Sequence, residues 1–136
     1  MGEHAIIVIK NKNSKYLQYF DEGWNSYLFL NCKLPNGNNE EIIKNKVANE
    51  FNIEKGVIEV YYVEKKKHKK FSETAKKEKE YIHYFYKVEL NTEFYENNFE
   101  IDGKKYKWYS YKELLEDKRI MQVNSDIVEF IKEFNL

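Results

Sequence analysis

Ala5-Ile-Ile-Val-Ile9 is an unbroken apolar run that stops at the polar stretch Lys10 to Ser14. β-Branched side chains dominate it, so it predicts a strand. Tyr16-Leu-Gln-Tyr-Phe20 follows, and the two runs predict a hairpin about the polar turn. A third short apolar run covers Trp24 to Leu30 and ends near Lys33-Leu-Pro-Asn-Gly37, where Pro35 to Asn39 is the strongest loop signal in the chain. The period then changes. Ile43, Val47 and Phe51 recur every fourth residue with Ile42 beside them, an amphipathic stripe that predicts a helix. Asn39 is placed to cap it, and Glu40 and Glu41 suit the positive end of its dipole. Gly56 is placed to end this helix or the turn after it.

Val57 to Val63 predicts a further strand, and Tyr81 to Leu90 its antiparallel partner, with a lysine-rich connection between them. Phe99-Glu-Ile-Asp-Gly103 leads through a small turn into a short strand, Lys105 to Tyr109. Leu114 and Leu115 suggest a helical turn, and Ile127, Val128, Ile131 and Phe134 mark a closing helix. No internal repeat or low-complexity linker interrupts residues 1–136, so they predict a single domain. Helices embedded in and following a mostly antiparallel set of strands predict an α+β layered sandwich.

Composition narrows the function classes. At 136 residues, 42% hydrophobic and 17% aromatic, the chain is too apolar to be disordered and long enough to bury a core without staples. The single cysteine, Cys32, excludes an intrachain disulfide framework and a multi-cysteine zinc site. The longest apolar run, Ala5 to Ile9, is too short to span a bilayer, and Met-Gly-Glu-His lacks the basic start of a secretory signal. A cytoplasmic protein with no membrane partner is the expectation. Lys+Arg and Asp+Glu number 23 each, and Arg119 is the only arginine. Forked recognition of phosphates and bases favours arginine, so the composition argues against nucleic acid as a partner.

Three helix residues invite a chemical reading. Lys46, Glu50 and Glu54 stand at i, i+4 and i+8, which places all three on one helical face. Two carboxylates a turn apart can hold a hard divalent cation such as Mg²⁺, and the same spacing also describes a solvated salt-bridge stripe. Lys65 to Lys70 concentrates charge that either steers a phosphate-rich ligand or forms a solvated loop or strand end, with Glu64, Glu73, Glu78 and Glu80 offsetting it. His4, His68, His83 and Cys32 show no metal-ligand spacing, and Cys32 has no positioned base. Trp24, Trp108 and the tyrosines mostly suit a core, with one or two left to stack on a nucleobase.

Pro35 to Val57 resembles a degenerate Nudix box, whose pattern is Gly-x5-Glu-x7-Arg-Glu-U-x-Glu-Glu-x-Gly-U with U a bulky aliphatic residue. Glu41 matches its first glutamate, Glu50 the glutamate of Arg-Glu, Glu54 the last glutamate, and Gly56-Val57 the closing pair. Trp108 to Leu115 before a final helix extends the resemblance over the chain. Pro35, Asn49 and Ile53 depart from it, replacing the opening glycine, the arginine and one glutamate, and Phe51 is aromatic where the pattern is aliphatic.

The resemblance implies a Nudix-like α/β/α sandwich with a mixed, largely antiparallel sheet. It also implies hydrolysis of a nucleoside-diphosphate-linked (pyrophosphate) substrate with Mg²⁺ or Mn²⁺, weakly bound. Glu50 and Glu54 would be metal ligands and Glu50 and Glu41 the catalytic carboxylates. Glu100 or Asp102 would be the carboxylate recruited from a later loop. Two functional readings stay open: a divergent hydrolase, and a catalytically inactive Nudix-fold module that binds a nucleotide or a protein partner. A nucleotide-type small molecule and a second copy, in a homodimer, are the expected partners.

Overall fold

The computed structural model describes residues 2–72, 76–91 and 96–136. Seven strands form one sheet: β1 (Gly2–Ile9), β2 (Lys15–Asp21), β3 (Ser26–Lys33), β4 (Ile58–Ser72), β5 (Lys77–Leu90), β6 (Asn98–Ile101) and β7 (Lys104–Ser110). Their spatial order is β4-β5-β1-β3-β2-β7-β6. Only β1 with β5 is parallel, and every other neighbouring pair is antiparallel. Helix α1 (Glu40–Phe51) lies on one face, and α2 (Tyr111–Glu116) and α3 (Lys118–Glu133) on the other. The result is the expected α/β/α sandwich with a mixed, largely antiparallel sheet. Among the described residues no helix is long and apolar enough to cross a membrane.

Period-two alternation divides the core. Ala5, Ile7 and Ile9 of β1 pack with Ile43, Val47 and Phe51 of α1, while Ile6 and Val8 pack with Ile127, Phe130 and Ile131 of α3. This explains the unbroken apolar run: β1 is buried on both faces, so every position from Ala5 to Ile9 is interior. It also corrects the expected hairpin. β1 takes β3 and β5 as its ladder partners, and the pairing toward β2 is limited to a bridge between Lys10, just past β1, and Tyr16.

The stripe on α1 is borne out, with Asn39 capping the helix by accepting from the Glu41 and Ile42 amides. Of the two places open to Gly56, the helix end belongs to another residue and the turn after it is the one Gly56 takes. Asn52 adopts the left-handed conformation (φ 53°) and stops the helix at Phe51. Gly56 sits instead in a 3₁₀ turn, Lys55–Val57.

The lysine-rich connection is strand as well. β4 and β5 stay paired from Ile58↔Leu90 to Ser72↔Lys77, whereas β1 meets β5 only from Tyr81 onward. The far part of this hairpin therefore runs past the rest of the sheet, with β4 as an edge. With no second layer to bury it, that stretch carries none of the apolar alternation that marks a strand. Residues 73–75 and 92–95, including Glu73 and part of the polar stretch after Asn91, lie outside the described residues.

Candidate functional site

Strand β3 changes partners midway. Ser26 to Phe29 pair with β2, and Leu30 to Lys33 pair with β1 on the opposite edge. Past Phe29, β2 turns toward β7, so the sheet opens beside Asn31. Two cavities share Asn31 as a wall. The smaller, about 90 Å³, is lined by Tyr19, Leu30, Asn31, Lys46, Glu50 and Lys104. The larger, about 220 Å³, is lined by His4, Trp24, Tyr81, His83 and Asn124 among others, between the sheet and α3.

Glu50 is the centre of the smaller cavity. Its carboxylate is only 8% exposed, on the last turn of α1. Oε1 pairs with Lys46 Nζ at 2.7 Å, one helical turn earlier, and Oε2 with Lys104 Nζ at 3.1 Å. The Tyr106 hydroxyl donates to Oε2 at 2.7 Å. Burial opposes ionisation of Glu50, but the bonds from Lys46 and Tyr106 and the charges of Lys46 and Lys104 outweigh it and hold its carboxyl below the ordinary value. The Tyr106 hydroxyl is pushed the other way, by burial and then by Glu50, so it remains a donor. The Lys104 ammonium also lies 4.4 Å from the Tyr19 ring centroid. Asn31 Nδ2 donates to the Tyr19 hydroxyl at 3.0 Å, which in turn donates to Asp21 at 3.0 Å.

The larger cavity has aromatic and amide walls. Tyr81 stacks on His83 with ring centroids 5.7 Å apart, and His83 meets Phe85 edge-on. Trp24 lies in the turn between β2 and β3, and α3 anchors that turn. Arg119, the only arginine, donates to the Trp24 carbonyl from Nε at 3.1 Å and from Nη2, and to Gln122 from Nη1.

The other expected site residues lie elsewhere. Because the helix stops at Phe51, Glu54 is off it, in an extended conformation (φ −74°, ψ 144°) and exposed, so the shared face holds Lys46 and Glu50 but not Glu54. Glu41 is nine residues before Glu50, and at roughly 100° per residue it faces the opposite side of α1. There it is exposed and pairs with Lys55 at 3.3 Å. Glu100 is exposed on β6, and Asp102 is exposed in the β6–β7 turn. Ile53 packs against the core.

These residues do not fit a divalent cation. Both oxygens of Glu50 are already engaged by ammonium groups and a hydroxyl, and no group of three His, Cys, Asp or Glu side chains suited to a metal occurs among the described residues. Lys104 and Tyr106 carried no local signal. They lie 54 and 56 residues from Glu50, and only the β7 register brings them to it.

No family model and no curated protein matches the chain. Solved structures do. Ap4A hydrolase of C. elegans superposes with a TM-score of 0.62 at 12% identity, covering 99% of this chain and 96% of that one. DR0079 of Deinococcus radiodurans gives 0.60 at 13% identity, with 98% and 82% covered. RenU, a Nudix hydrolase of M. smegmatis, gives 0.54 at 5% identity, with 99% and 88% covered. With this chain covered almost throughout and each of those chains over four fifths of its length, its mixed sheet between helices is a Nudix-like α+β fold.

Proposed function

We propose that this chain is a Nudix-fold module that binds a nucleotide-type small molecule, with the base in the larger cavity. One observation carries the reading: a cavity walled by Trp24, Tyr81, His83 and Asn124 combines aromatic faces with amide and imidazole groups. Aromatic faces suit stacking on a base, and amide and imidazole groups suit its polar edge. At about 220 Å³ the cavity falls below the usual size of a drug-binding pocket, which fits one base-sized fragment better than a whole dinucleotide.

A second reading, a pyrophosphohydrolase of the Nudix type acting with a divalent metal, is supported by the fold shared with solved hydrolases. The engaged carboxylate of Glu50 and the exposed positions of Glu41 and Glu54 favour binding over hydrolysis. Calorimetric titration of nucleosides against the parent chain and a Trp24→Leu variant tests the first reading. Binding weakened by at least about tenfold in the variant is expected, and equal affinity in the two would overturn it. Turnover of a nucleoside-diphosphate-linked substrate with Mg²⁺ or Mn²⁺, abolished by Glu50→Gln, would establish the second reading instead.

A further inference from the structure

We infer that the small cavity at Lys46, Glu50 and Lys104 holds phosphoryl oxygens directly on its two ammonium groups, with no divalent cation between. The inference rests on the nucleotide reading above and extends it to the phosphate end of the ligand. Two ammonium groups face one carboxylate here, so the cluster keeps a net positive charge. A cation entering beside Glu50 would have to displace Lys46 and Lys104, whereas an anion needs to displace neither. Each ammonium has three N–H donors, and the pairing with Glu50 uses one of each. The Lys46 and Lys104 side chains stay 31% and 37% exposed, so their remaining donors are within reach of a ligand.

Glu50 is a positioning residue in this arrangement. Without its charge the two ammonium groups would repel one another and swing into solvent. The Tyr19 ring under Lys104 and the Tyr106 hydroxyl on Oε2 hold the group in place before a ligand arrives. At about 90 Å³ the cavity has the volume of roughly three waters, which is room for one phosphoryl group. Asn31 lines both this cavity and the aromatic one, which lie toward α1 and toward α3 respectively.

The test is calorimetric titration of inorganic pyrophosphate in EDTA, with adenosine and guanosine titrated separately. The parent chain is expected to bind pyrophosphate, and Lys104→Met and Lys46→Met to bind it at least about tenfold more weakly. Lys104→Arg keeps the charge and is expected to retain binding, which separates a lost contact from a damaged fold. Lys112→Met, on the exposed side of α2, serves as the control and should match the parent. No pyrophosphate binding in EDTA, binding that appears only with Mg²⁺, or binding that survives loss of both lysines would overturn the inference. Pyrophosphate binding without nucleoside binding would uphold it and remove the base from the larger cavity. Nucleoside binding alone would do the reverse.

Discussion

Replacing Tyr106 by phenylalanine isolates one bond at the site. The Tyr106 ring is 2% exposed, packs parallel to Phe99 with centroids 5.0 Å apart and tilts against Phe51 at 5.3 Å. Phenylalanine keeps these contacts and removes only the hydroxyl that donates to Glu50 at 2.7 Å. A hydrogen bond to a buried charged group contributes about 1.5–3 kcal/mol. Because Lys104 shares Oε2 and Lys46 covers Oε1, the lower end applies, about 1.5 kcal/mol at pH 7.

The pH dependence has a definite sign. The folded-state pKa of Glu50 is depressed, so its contribution is present above the unfolded carboxyl value of 4.5 and is lost as pH falls through the folded value. The variant lacks one of the bonds that depress it. Its folded pKa should therefore rise toward the ordinary carboxyl value. The neutral acid still accepts a weaker bond, so the difference between parent and variant should shrink as pH falls through the folded value. Urea unfolding from pH 7 down through the acid range, with unchanged denaturant slopes, measures this. A destabilisation that stays the same down to a pH at which Glu50 is shown by NMR titration to be protonated would refute the charge-assisted bond as its source.

Two further predictions concern the opposite face of the sheet. Phe130→Ala removes a ring stacked 3.6 Å from Phe85 and 4.4 Å from Phe134, and should cost about 3–5 kcal/mol in urea unfolding, with less than about 2 kcal/mol ruling out that stack as a principal core contact. Arg119→Met frees the Trp24 carbonyl from α3 and should cost about 1 kcal/mol while making Trp24 fluorescence more accessible to acrylamide. Unchanged quenching would mean that Arg119 does not hold that wall of the larger cavity.

What was legible in the chain was local. Asn39, Ile43, Val47 and Phe51 mark α1 because a cap and a four-residue stripe are properties of one segment. The pairing of β1 was not legible, since its partners β3 and β5 are chosen by burial on both faces rather than by the turn that follows it. Glu54 was misplaced because helical spacing was carried past Asn52, and asparagine tolerates the left-handed conformation that ends a helix. Lys65 to Lys70 read as a connection because lysines follow one another there with no alternation of apolar and polar residues, although Lys65 to Lys67 pair with Tyr84 to Ile82 inside the sheet. At the site, Lys46 and Glu50 are a local pair, but Lys104 and Tyr106 reach Glu50 only through the assembled sheet.

The edge position of β4 bears on how copies of this chain behave together. Its outer backbone edge is a template for adding a strand, and another β4 docking there would run about 4.8 Å away. Five of the six residues from Lys65 to Lys70 are lysine, so such a dimer would set like charges nearly opposite one another. The barrier to sheet growth is thus electrostatic and not steric. It relaxes as the screening length falls from about 8 Å in physiological salt to about 3 Å in molar salt. Concentrated salt, or acetylation of those lysines, would lower that barrier to strand addition.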